Sequence, residues 1–148
     1  MKFEFSAGGI VIRRAHDFGS KPHFLKKEIE VLVCQHSQHH GWVFPKGLIG
    51  DHIKEENKEQ TAQREVEEET GVKGKIIQPL SEVEYWYQFS GEKIKKTVYY
   101  FLMEYVSGDI SKHDSEMENV EWISKKDVEK KLTYPSDKKV WNKASKLI

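Results

Sequence analysis

A single cysteine, Cys34, is all the thiol the chain has, so neither a disulfide framework nor a cysteine-based zinc site is available to it. Cys34 falls in an apolar run and reads as a buried, inert thiol. Net charge is missing as well. Lys+Arg and Asp+Glu both number 24, which removes any global polyanion-binding signature and leaves no basic stripe for nucleic acid. There is no long hydrophobic run. The N-terminal apolar stretch is short and broken by Glu4, so it reads as neither signal peptide nor membrane span, and a cytoplasmic location is expected. Internal repeats, low-complexity tracts and linkers are absent too. At 148 residues the expectation is one domain, 1–148, able to bury about 68–70% of its surface on folding.

What the chain does have is local segregation of charge, with lysines in 92–96 and 125–139 and acid in 50–72. The segment Gly50 to Val72, GDHIKEENKEQTAQREVEEETGV, predicts a helix with Asn57 as N-cap and Gln60 as its capping-box partner. Gly71 is a left-handed stop. Glu65, Glu68 and Glu69 stand at i, i+3 and i+4 and share one face; Glu67 points elsewhere. These acids crowd the C-terminal turn, where the helix dipole disfavours each anion by ~0.3–1 kcal/mol. Like charges at these spacings add roughly 0.2–0.5 kcal/mol per pair. Arg64 answers Glu68 at i+4, yet one arginine does not balance the carboxylates. An ordinary glutamate run is a solvated face, but this one breaks two local rules at once, which points to function. A hard divalent cation with oxygen ligands would compensate it.

These residues carry a resemblance. Gly50–x5–Glu56–x7–Arg64-Glu65-Val66–x–Glu68-Glu69–x–Gly71-Val72 resembles the Nudix box, with nine constrained positions met over 23 residues. The flanks SAGGIVI, GWVFPKG and EYWYQFSGEKIKKTVYYF are most similar to those of bacterial diadenosine-polyphosphate hydrolases of that superfamily. The chain departs from the pattern in one place. Gly50 satisfies the spacing while Gly47, in Pro45-Lys46-Gly47, satisfies the context, so the loop is about three residues longer than usual. Either glycine carbonyl is a candidate metal contact, and Glu56 is a weaker candidate ligand than the helical glutamates.

Elsewhere the pattern predicts strands at 2–13, with a Gly8-Gly9 bulge or close approach, at 28–35, 42–44, 75–80 and 120–123. A polar loop is expected at 15–27. Residues 82–89 and 92–106 form a hairpin turning at Ser90-Gly91. Its alternation puts Val83, Tyr85, Tyr87 and Phe89 on one face and Trp86 on the other. A small helix using Val128 and Leu132 follows, then a last helix from Pro135 with an apolar stripe of Val140, Trp141, Ala144 and Leu147. This order favours a mixed α/β fold with helices on both faces of a mixed sheet; the resemblance implies the same αβα sandwich. His36, His39 and His40 read as a solvated loop near the phosphates in preference to a zinc site.

The carboxylate cluster suits Mg²⁺ or Mn²⁺. The expected activity is hydrolysis of a phosphoanhydride in a nucleoside diphosphate linked to another moiety. The resemblance implies diadenosine polyphosphates, with diadenosine tetraphosphate going to ATP and AMP. It also implies Glu65, Glu68 and Glu69 as ligands or base, joined by Glu116. Arg64 would orient the carboxylates. Lys46, with Lys93 or Lys95, would contact phosphate, and Tyr85 or Tyr87 would stack on adenine. The alternatives are a nucleoside triphosphate, an RNA 5′ end or an inositol pyrophosphate as substrate, or a non-catalytic nucleotide-binding module.

Overall fold

In the computed structural model, residues 1–14, 28–50 and 54–148 are described. The loop expected at 15–27 lies outside them. The two longest strands form the centre of the sheet: β1 (Lys2–Arg14) runs parallel to β7 (Glu92–Gly108), paired from Lys2↔Ile94 to Ile12↔Glu104. Strand β2 (Ile29–His36) pairs antiparallel with β1, and β5 (Val72–Pro79) and β6 (Val83–Phe89) pair antiparallel with β7. Beyond β2 lie β3 (Trp42–Val43) and β8 (Met117–Ser124). Residues Lys46–Leu48, expected as plain loop, are a short strand β4 paired with Ser6–Gly8 of β1. The cause is local. A Cβ at Gly8 would lie 2.2 Å from the Pro45 carbonyl oxygen, so only glycine lets the Pro45-Lys46-Gly47 segment lie against the sheet.

Alternation along the strands divides the core in two. Ala7, Val11, Leu32, Cys34, Phe101 and Met103 face one side, where Ala62 and Val66 of helix α1 (Lys58–Thr70) cover them. Ile10, Ile12, Val31, Val33, Val98 and Leu102 face the other. There they meet Val128 of α2 (Val128–Lys131), Leu132, and Val140, Trp141 and Ala144 of α3 (Pro135–Ser145). The result is the mixed α/β sandwich that the pattern predicts. A fully buried aliphatic side chain such as Val66 contributes about 1.5–3 kcal/mol, so α1 is fastened to the sheet within its acidic stretch. Leu147 does not belong to the α3 stripe. It lies past the last helical residue and is exposed, because the helix ends at Ser145. Cys34 is buried, its thiol pushed up by that burial.

Candidate active site

Helix α1 starts with the expected capping box: the Asn57 side chain accepts from the Gln60 N–H at 2.8 Å, and the Gln60 side chain accepts from the Asn57 N–H at 3.1 Å. Gly71 ends it in the left-handed conformation, φ 80°. Between these caps, Glu65 and Glu69 turn inward and are buried, while Glu68 stays 44% exposed. Arg64 ties the acids together. Its Nε and Nη2 donate to both oxygens of Glu56 at 2.8 and 2.9 Å, and its Nη1 donates to Glu65 at 2.8 Å and to Glu68 at 3.1 Å. Thr61 Oγ1 also donates to Glu56, at 2.8 Å. Glu56 is therefore a buried anchor for Arg64 and does not line the carboxylate pocket, which corrects its reading as a metal ligand. Its two oxygens are taken by a planar fork that matches them.

The box glutamates divide between two donors. Glu65 and Glu68 lean on Arg64, and Glu69 accepts the Lys46 main-chain N–H at 3.1 Å. Among the described residues, no three acidic, histidine or cysteine side chains gather closely enough to hold a metal as they stand. The expected convergence of Glu65, Glu68 and Glu69 is thus incomplete; like charges turn to the nearest donors instead. The donor set nonetheless fits a hard cation. Burial pushes the Glu69 carboxyl well up, and the neighbouring Glu65 and Glu116 charges push it further. Burial raises Glu65 too, against the pull of Arg64. A divalent ion would reverse both shifts.

Gly47 closes this end of the pocket. A Cβ placed there would lie 2.1 Å from the Glu65 carboxylate, whereas Gly50 does not line the pocket, and among the described residues a Cβ on it would meet only Lys54 O, at 3.8 Å. Of the two glycines, the structure brings Gly47 to the carboxylates. Gly47→Ala is expected to cost about 1–3 kcal/mol by forcing Glu65 aside. Urea unfolding reads this directly, and an unshifted midpoint would mean that Glu65 has room to yield.

The same pocket also holds basic groups. It is a cleft of about 460 Å³ whose lining includes Glu65, Glu68, Glu69 and Glu116 together with Lys46, Lys96 and Tyr85. Burial works to lower Lys46, but the acidic groups of Asp137, Tyr85 and Glu69 outweigh it and the amine is raised. Asp137 comes from α3, buried beneath the sheet and accepting from the Tyr100 hydroxyl at 3.1 Å. Lys96 is pulled down by its burial and by the Lys46 charge. His36 and His39, stacked at 4.4 Å between ring centroids, form part of the wall, and Tyr134 OH meets His39 Nδ1 at 2.8 Å. His40 instead pairs with Glu118.

Two lysine assignments need correction. Lys93 and Lys95 lie over the Trp86 ring on the other face of the hairpin, at 4.8 and 5.9 Å, and Lys95 pairs with Glu84 at 2.7 Å. The hairpin lysine that lines the pocket is Lys96, which sequence reading missed. The signal was present, because a two-residue turn at Ser90-Gly91 sets the register Tyr87↔Ile94 and Tyr85↔Lys96. Tyr87 is also displaced from the expected place. It lies outside the carboxylate pocket, in an adjoining groove, with its hydroxyl donating to Glu4.

The acidic end of the box helix, Gly47 and the two lysines Lys46 and Lys96 thus share one cleft. The NUDIX domain family pattern matches residues 23–143, and the chain belongs to that family. It is 36% identical over 108 residues to the putative mutator protein MutT4 of Mycobacterium tuberculosis, a match covering 72% of this chain and 42% of that protein. It spans about two fifths of the length of the curated relatives it matches. The NUDIX domain of Shewanella oneidensis NrtR, solved with ADP ribose, superposes with a TM-score of 0.70 at 20% identity, covering 100% of this chain and 90% of that one. A C. elegans Ap4A hydrolase binary complex gives 0.63 at 20% identity, covering 97% and 96%. These two likenesses show the fold. No helix among the described residues is long and apolar enough to cross a membrane.

Proposed function

We propose that this domain hydrolyses a phosphoanhydride bond in a nucleoside diphosphate linked to another moiety, and that its substrates are diadenosine polyphosphates. The observation that carries the reading is the polarity of the cleft. Oxygen donors for a cation, Glu65, Glu68, Glu69 and Glu116, line the same cleft as the lysines Lys46 and Lys96. A phosphate chain held there would be neutralised by the lysines and by a bound cation, and electrostatic stabilisation of this kind is where most phosphoryl-transfer catalysis comes from. Glu65, Glu68 and Glu69, with Glu116 and the Gly47 carbonyl, would hold Mg²⁺ or Mn²⁺, which supplies Lewis-acid polarisation of a phosphoryl oxygen and acidifies bound water. Arg64 keeps Glu65 and Glu68 in place. Lys46 and Lys96 hold phosphate oxygens, and Tyr85, half-buried beside them, flanks the adenosine. The ADP ribose on one structural relative and the Ap4A hydrolase among the others support the class of linked nucleotide.

The test is product analysis on a panel of diadenosine tetraphosphate, single nucleoside triphosphates and ADP-ribose, with Mg²⁺ and with a chelator. ATP plus AMP from the dinucleotide, abolished by chelation and restored by Mg²⁺ or Mn²⁺, is the expected result. Faster release of pyrophosphate from nucleoside triphosphates would move the assignment to that substrate class. Nucleotide binding without turnover of any compound would make the domain a binding module.

A further inference from the structure

We propose that Asp137, a residue of α3 outside the cleft, is the positioning residue for Lys46: from beneath the sheet its buried carboxylate anchors the segment and the ammonium that meet phosphate. The inference deepens the reading of Lys46 as a phosphate ligand and rests on it. Asp137 stands in the first turn of α3, where a carboxylate complements the helix dipole. An exposed side chain would serve the dipole as well. Asp137 is instead only 3% exposed, and a buried carboxylate is costly unless other groups bond it and answer its charge.

Its surroundings supply both. Tyr100 donates its hydroxyl at 3.1 Å, and the main chain of Phe44, two residues before Lys46, bonds to the same carboxylate. The Tyr100 ring packs edge-on against Phe44, with centroids 6.2 Å apart. Strand register carries the arrangement to the lysine. Gly8 of β1 pairs with Lys46 on one side and with Tyr100 on the other, so the three form one row across the sheet. A Cβ at Gly8 would lie 2.7 Å from the Lys46 Cβ. Lys46 and Tyr100 therefore share a face with only a glycine between them, and it is the face that α3 covers. Burial works against the charge of Lys46, and among the acidic groups that outweigh it Asp137 acts most strongly. Burial raises Asp137 in turn, and Lys46 is the main influence pulling it back. Lys46 lines the cleft and Asp137 does not, so an effect of Asp137 on phosphate passes through the lysine.

The two parts a carboxylate can play behind a phosphate site have opposite signs. A bystander charge repels the substrate, so Asp137→Asn would lower KM. An anchor keeps the ammonium in the cleft, so its loss raises KM. Asp137→Asn is expected to lower kcat/KM roughly tenfold, mostly through KM, the scale usual for coupled neighbours. The loss should appear with diadenosine tetraphosphate and with any other nucleotide of the panel that turns over, because Lys46 meets phosphate and not base. In a Lys46→Met background the same substitution should change kcat/KM by less than about twofold. Tyr100→Phe keeps the ring against Phe44 and takes one bond from the carboxylate. It should give a smaller loss with the same dependence on Lys46, and it supplies the comparison if Asp137→Asn fails to fold. Equal losses in both backgrounds, as a purely structural residue would give, or an unchanged or lower KM, would overturn the positioning role while leaving the assignment of Lys46 standing. Wild-type kcat/KM in Lys46→Met would overturn both.

Discussion

Glu68→Gln is expected to lower kcat by roughly two to four orders of magnitude while leaving the fold intact. The two halves of that outcome come from different features of the same residue. Glu68 lines the cleft and carries one of the carboxylates assigned to the cation or to the attacking water. Its structural stake is small, because its side chain is 44% exposed and bonds to Arg64 at i+4. An exposed pair of this spacing contributes about 0.3–0.5 kcal/mol, and glutamine keeps the shape. Thermal unfolding should therefore barely move while single-turnover rates collapse. A near-normal rate would remove Glu68 from the reaction. Glu69 is a poorer probe, since it is buried and accepts the Lys46 N–H, so a rate loss there mixes chemistry with displacement of the lysine.

The largest effect on stability is expected at Arg64. Replacing it with alanine should cost about 3–5 kcal/mol, the usual consequence of taking one partner from a buried ion pair. Glu56 and Glu65 have side chains only 5% and 7% exposed, and both lose charged donors in the variant. The Thr61 hydroxyl, which also donates to Glu56, carries no charge. Hydrogen bonds to Glu56, Glu68 and Glu65 outweigh the burial of the guanidinium and hold it protonated well above its ordinary value. Arg64→Lys is expected to recover only part of the loss, because an ammonium cannot reproduce the bidentate fork on Glu56. Urea unfolding of both variants measures this. A loss under about 1 kcal/mol for Arg64→Ala would mean the carboxylates relax to solvent or bind protons, and Arg64 would then not be the anchor of the box.

How much of this was legible beforehand depended on sequence distance. The α1 caps, its Gly71 stop and the placing of Glu65, Glu68 and Glu69 on one face all follow from neighbours within about one turn. The hairpin was legible for the same reason, as was the inward set of β6. What failed there was the choice among lysines. Lys93, Lys95 and Lys96 are chemically alike, and only the pairing register, carried back from the turn, separates the one beside Tyr85 from the two over Trp86.

By itself the sequence determined the elements, the two-sided strands that require helices on both faces, and the acidic helix end with its family pattern. Each of these is written in spacings of a few residues, where backbone geometry alone decides which side chains meet. Only the tertiary structure decided that Gly47 and not Gly50 adjoins Glu65, that Glu56 belongs to Arg64, and that Tyr85 and Tyr87 serve different cavities. Those outcomes depend on β1, which holds β4 at Ser6–Gly8 and runs beside β7, so that the glycine loop, the box helix and the hairpin are set against one another. Contacts between segments tens of residues apart are fixed by how the sheet closes beneath them, and no local spacing records that.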